Sequence, residues 1–138
     1  MTVIPKKGTE TMDIEKKNLT EAEIEVIVAD LTKILSEKRA LDIETMHVKD
    51  LTAIADYFIV CTGTSNTHLK TLSEEVERLM EEKYGIRPHH IEGYETATWI
   101  LADYGFVVVH IFHRDARQFY SLERLWSDAP KHTYTEKK

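Results

Sequence analysis

At 138 residues and 42% apolar composition, the chain has the length of one domain and enough apolar residues for a core, which excludes general disorder. A net charge of -6 argues against direct wrapping of nucleic acid, because phosphate binding needs clustered Lys and Arg, and suits a basic protein partner instead. The single cysteine, Cys61, excludes an intramolecular disulfide framework, no apolar run approaches the ~20 residues of a membrane span, and the opening residues lack the pattern of a signal or transit peptide, so a soluble cytoplasmic protein is expected.

Residues 1–18 are polar and aperiodic and read as a flexible N-terminal tail. Thr20 and Glu23 have the spacing of a capping box, in which hydroxyl and carboxylate each satisfy a free backbone N–H. Ile24, Ile27, Val28, Leu31, Ile34 and Leu35 then share one helical face, and this helix should end near Lys38 or Arg39. In ALDIETMHV, residues 40–48, Leu41, Ile43 and Thr45 alternate with Asp42, Glu44 and Met46, the pattern of a half-buried strand. The connection KDLTAIAD leads into YFIVCTG, which is continuously apolar and predicts a central strand buried on both faces.

Ser65 or Asn66 caps a second helix, with Leu69, Leu72, Val76, Leu79 and Met80 on its apolar face and Gly85 just past its end. IRPHHIEGYETA is a short strand or loop. Residues 99–102 and 106–112 read as two strands joined by a tight turn at Asp103, Tyr104 and Gly105. Asp115 caps a last helix carrying Phe119, Leu122, Leu125 and Trp126 on one face, and residues 129–138 form a C-terminal tail. The order α-β-β-α-β-β-β-α predicts an α/β domain over residues 19–128, with a mixed sheet flanked by helices.

The strand–turn–helix around Gly63, Thr64 and Ser65 is the first candidate for chemistry, since such turns can hold a phosphate. It is neither a Walker A loop nor Gly-x-Gly-x-x-Gly. It echoes the Gly-Ser turn of nucleotidyltransferases, but those enzymes gather carboxylates on neighbouring strands to hold metal ions, and here Asp103 has no second acid beside it. Helix initiation is the favoured reading. His89 and His90 are adjacent, and His110 and His113 point to opposite faces of a strand, so structural or surface roles are favoured over a metal site. Cys61 continues an apolar strand and reads as core rather than nucleophile. EGYETATWILADYG resists dismissal: Trp99 fits a sheet core, yet an aromatic beside aliphatic residues and the acids Glu92, Glu95 and Asp103 also fits a hot spot for a basic protein.

Four separated motifs, ADYFIVCTGTS, GYETATWILADYG, VVVHIF and RQFYSLERLW, together resemble the ribosomal silencing factor family, also called Iojap, over roughly residues 20–128. The resemblance implies a nucleotidyltransferase-like fold without the catalytic carboxylates, and with no enzyme activity, cofactor or metal. It implies binding to a basic ribosomal protein on the intersubunit face of the large ribosomal subunit, with little direct RNA contact. A bound domain about 30 Å across would obstruct joining of the small subunit and repress translation. Organelle members assist large-subunit assembly. The family's contact surface maps onto Trp99, Ile100, Leu101, Asp103 and Tyr104. The competing readings are a nucleotidyltransferase-like enzyme using the turn from Gly63 to Ser65, and a homodimer with a scaffolding role.

Overall fold

A computed structural model describes residues 19–53, 55–117 and 131–133. Helix α1, Glu21–Glu37, starts where the sequence places it. The Glu23 N–H donates to Thr20 Oγ1 at 3.1 Å and the Thr20 N–H donates to Glu23 Oε1 at 2.9 Å, which closes the capping box. Such a cap is worth about 1 kcal/mol. Ile24, Ile27, Val28, Leu31 and Leu35 are buried, as the 3.6-residue period requires. Strand β1, Leu41–His47, follows, then β2, Tyr57–Gly63, buried along nearly its whole length.

Helix α2, Asn66–Leu79, is capped by Ser65, whose hydroxyl accepts the His68 N–H. It widens into a π-helical turn over Met80–Tyr84 and stops at Gly85, at φ 67, a left-handed position that a glycine occupies without strain. Strands β3, His90–Glu92, β4, Trp99–Asp103, and β5, Val107–His113, complete the predicted set. Gly105, at φ 89, leads the two-residue turn between Tyr104 and Val107, whose backbones bond at 2.9 Å.

The sheet order is β3-β4-β5-β2-β1-β6, where β6 is Lys131–Thr133. β2 and β5 are parallel and the other pairings are antiparallel, so the expected mixed α/β sheet is present. β6 pairs with β1, so residues 131–133, within the expected C-terminal tail, add a strand to the sheet. The predicted helix carrying Phe119, Leu122, Leu125 and Trp126, and the N-terminal tail, lie outside the described residues. Among the described residues no helix is long and apolar enough to cross a membrane.

Both sheet faces are apolar. α1 and α2 cover one, with Ile59, Cys61, Ile100, Ala102, Val107, Val109 and Ile111 beneath them. The opposite face buries Met46, Val48, Ala55, Phe58, Val60, Val108 and Phe112. Strand β1 departs from simple alternation. Asp42 sits at φ 49 and the register shifts between Leu41 and Glu44, so Leu41 is 45% exposed while Ile43 stays under the helices. A bulge of this kind sends the residues on either side of it to faces that period-two counting cannot anticipate. Met46, paired with Phe58, is buried on the opposite face.

His110 is the one charged-capable side chain among the buried residues of that opposite face, at 4% exposure. Burial pushes its imidazole down to about 4, against a smaller upward pull from Asp103. Between the unfolded value near 6.5 and about 4, the unfolded chain therefore binds more protons than the folded one. The stability tied to the neutral ring is present above pH ~6.5 and lost as pH falls toward 4, on the order of 3 kcal/mol in all. The urea midpoint of the protein should drop across this interval. His110→Phe should flatten the drop, and equal slopes for the two proteins would contradict it.

Candidate functional site

The turn after β2 is locked by its own side chains. A Cβ on Gly63 would fall 2.6 Å from Leu69 Cδ1, so a larger residue here would have to push the Leu69 side chain aside. The Thr64 N–H donates to His68 Nδ1 at 3.0 Å, which assigns the imidazole proton to Nε2, 2.9 Å from the Lys38 carbonyl. The His68 N–H is taken by Ser65 Oγ at 3.0 Å. Arg117 reaches the Thr62 hydroxyl at the end of β2. The Thr64 N–H, the His68 N–H and the Ser65 hydroxyl are thus used within the fold. Asn66 carries a further task. Its amide donates to the carbonyls of Thr96, at 3.1 Å, and Ala97, at 3.0 Å, in the loop that delivers Trp99.

Cys61 is fully buried and its thiol is pushed up to about 12 by burial, so it is a packed side chain and not a thiolate. Among the described residues no group of three or more His, Cys, Asp or Glu side chains could hold a metal ion.

The β4 segment is divided by the pleat. Successive strand residues face opposite sides, and Ile100 and Tyr104 are buried beneath the helices, at 0% and 1% exposure. Expected as contact residues, they are placed in the core and support the strand from behind. Burial, with Glu77 and Glu81 nearby, raises the Tyr104 hydroxyl, and that hydroxyl has no hydrogen-bond partner. Trp99, Leu101 and Asp103 share the opposite face and are partly exposed.

Register extends this face across the sheet. Trp99 stands beside Phe112, Leu101 beside His110, and Asp103 beside Val108. On the outer side, edge strand β3 puts Glu92 beside Leu101 and His90 beside Asp103. The Trp99 and Phe112 rings stack at 4.9 Å, and the Trp99 indole N–H donates to His110 Nδ1 at 3.2 Å. Asp103 Oδ1 accepts the Gly105 N–H at 2.8 Å, and its backbone carbonyl accepts the His89 N–H at 2.7 Å, so this residue also fastens the hairpin. His90 lies between two acids, with Nε2 3.0 Å from Glu92 Oε2 and Nδ1 3.8 Å from Asp103 Oδ2. The result is a half-buried aromatic and a leucine bordered by two carboxylates. The sequence favours structural or surface roles for His90 and His110 and does not place them beside this face. The signal that could have found them is the hairpin register, which follows once the turn at Gly105 is fixed.

Gly93 shows how closely the approach loop is packed. At φ 80, it has the Trp99 carbonyl oxygen 2.0 Å from where a Cβ would stand, so only glycine fits.

Comparison with known proteins shows the family of the chain. The family model for the "Ribosomal silencing factor during starvation" matches residues 20–138. Ribosomal silencing factor RsfS of Halalkalibacterium halodurans is 41% identical over 96 residues, 70% of this chain and 81% of that protein. A mouse protein named Mitochondrial assembly of ribosomal large subunit protein 1 is 30% identical over 99 residues, 70% of this chain and 43% of that protein. A crystal structure from Chromobacterium violaceum superposes with a TM-score of 0.73 at 31% identity, covering 83% of this chain and 94% of the other. With the match extending from the first helix through β4, β5 and beyond, the chain belongs to the ribosomal silencing factor family.

Proposed function

We propose that this protein binds the large ribosomal subunit through the face formed by Trp99, Leu101 and Asp103, and that its bulk there prevents the small subunit from joining. The observation that carries the reading is the composition of that face: a stacked, half-buried Trp99 and Leu101 beside Asp103 and Glu92 on an edge hairpin. An aromatic anchor with an acidic border fits a basic protein surface and repels rRNA phosphates. The partner is therefore a basic ribosomal protein at the intersubunit face, in the cytoplasm where ribosomes assemble and work. Ile100 and Tyr104 contribute by holding β4 against the helices. A role in large-subunit assembly uses the same contact, in keeping with the printed name of the mouse relative. Repression needs occupancy and no turnover, so the protein is a binding factor and not an enzyme.

Trp99→Ala should remain folded and lose about thirtyfold in affinity for isolated large subunits, since an anchor is worth about 2 kcal/mol and each ~1.4 kcal/mol is tenfold. Charge is better tested at Glu92, which is 67% exposed, than at Asp103, whose carboxylate also fastens the turn. Glu92→Lys should weaken binding at low salt and progressively less as salt rises. Co-sedimentation with large subunits reads both effects, and normal binding by both folded variants would place the contact elsewhere.

The same reading expects no nucleotide-dependent turnover. Nucleoside triphosphates with Mg²⁺ should yield no product, because among the described residues no cluster of acids stands near the turn to hold metal ions. A product that forms with the wild-type protein and disappears in Ser65→Ala would restore the enzyme reading.

A further inference from the structure

His110 combines two properties that sit together poorly in a purely structural residue. It is 4% exposed, and its Nε2 has no hydrogen-bond partner. A buried donor left without a partner is costly, and an apolar ring of the same shape avoids that cost. Phe58, at 4.9 Å and edge-on, and the ladder neighbours Leu101 and Val60 would accept such a ring. The polar atom that is used is Nδ1, and what it receives is the Trp99 indole N–H, at 3.2 Å.

We propose that the His110 Nδ1 lone pair positions the Trp99 indole for partner binding, an inference that rests on the contact face proposed above. Stacking on Phe112 at 4.9 Å and 28° sets the plane of the Trp99 ring. The plane alone does not choose which edge of the indole turns inward, because a half-turn about Cβ–Cγ keeps the plane. The hydrogen bond favours one of the two. It draws the N–H edge toward a side chain that packing holds still. Ordering the ring before contact removes an entropy cost from binding. His110 touches no partner in this scheme and acts only through Trp99.

Two substitutions separate the acceptor from the ring. His110→Phe keeps an aromatic ring against Phe58 and removes the acceptor. His110→Asn removes the ring and returns an oxygen close to the place of Nδ1. The chain has two tryptophans, so its two indole N–H resonances can be assigned with Trp99→Phe. In His110→Phe the Trp99 indole proton should move upfield, the melting temperature should hold or rise, and affinity for isolated large subunits should fall about five- to tenfold, the scale of one neutral hydrogen bond. His110→Asn should recover the resonance and most of the affinity. If it does not fold, His110→Phe alone decides. Wild-type affinity in His110→Phe overturns the proposal, as does a folded His110→Asn that regains the resonance but binds no better than His110→Phe. Trp99→Ala is the reference. If it loses binding while His110→Phe does not, only the positioning role fails. If Trp99→Ala binds normally, the contact face and the positioning role fall together.

Discussion

Parallel pairing of β2 with β5 joins two strands far apart in sequence through seven registered pairs, from Tyr57↔Val107 to Gly63↔His113. Parallel strands cannot be closed by a tight turn, so the intervening chain must cross over the sheet and return. That crossing is α2, which packs so closely that a Cβ on Gly63 would press on the Leu69 side chain. The same pairing fixes β5 at the centre of the sheet, so β4 can add only on its free side. Every residue on the proposed contact face takes its place from that register.

The strand–turn–helix at Gly63 and the face at Trp99 look unrelated along the sequence. Asn66 connects them physically. It belongs to the first turn of α2, and its amide holds the carbonyls of Thr96 and Ala97 just before β4 begins. Ala97 there has φ 55, an unfavourable conformation for a residue with a Cβ, and the two bonds help to hold it. A turn that resembles a phosphate cradle thus serves as the mooring of the strand that carries the proposed contact face. His68 does the corresponding work on the other side, tying the turn to the end of α1 at Lys38.

Much of this was legible because its causes are local. The capping box at Thr20, the cap at Ser65, the apolar run of β2 and the glycine-led hairpin turn each depend on residues within a few positions of one another. The departures come from distant pairing. Leu41 is exposed because a bulge at Asp42 reverses its side, and no local pattern announces that bulge. Strand β6 exists only because β1 offers it an edge. The burial of Ile100 and Tyr104 has a different origin. The contact segment came from a resemblance, taken as a continuous run, whereas period-two alternation would have separated these two residues from Trp99, Leu101 and Asp103. His110 needed the hairpin register before its place beside Leu101 could be known.

The division of β4 also bears on how a small acidic domain can act by occupancy. Its inner residues, Ile100 and Ala102, are buried against the helical layer, so the strand backbone is held from behind. Its outer residues are then displayed at spacings set by the sheet rather than by a loop. Sites carried on strands are held more accurately than sites on loops, and a surface already in its bound shape gives up little freedom on contact. Among related complexes, affinity differences appear mainly in dissociation rates. A factor that works by remaining in place therefore gains from stiffness at the contact. In this fold the stiffness comes from the central parallel pair, passed outward through β5 to β4.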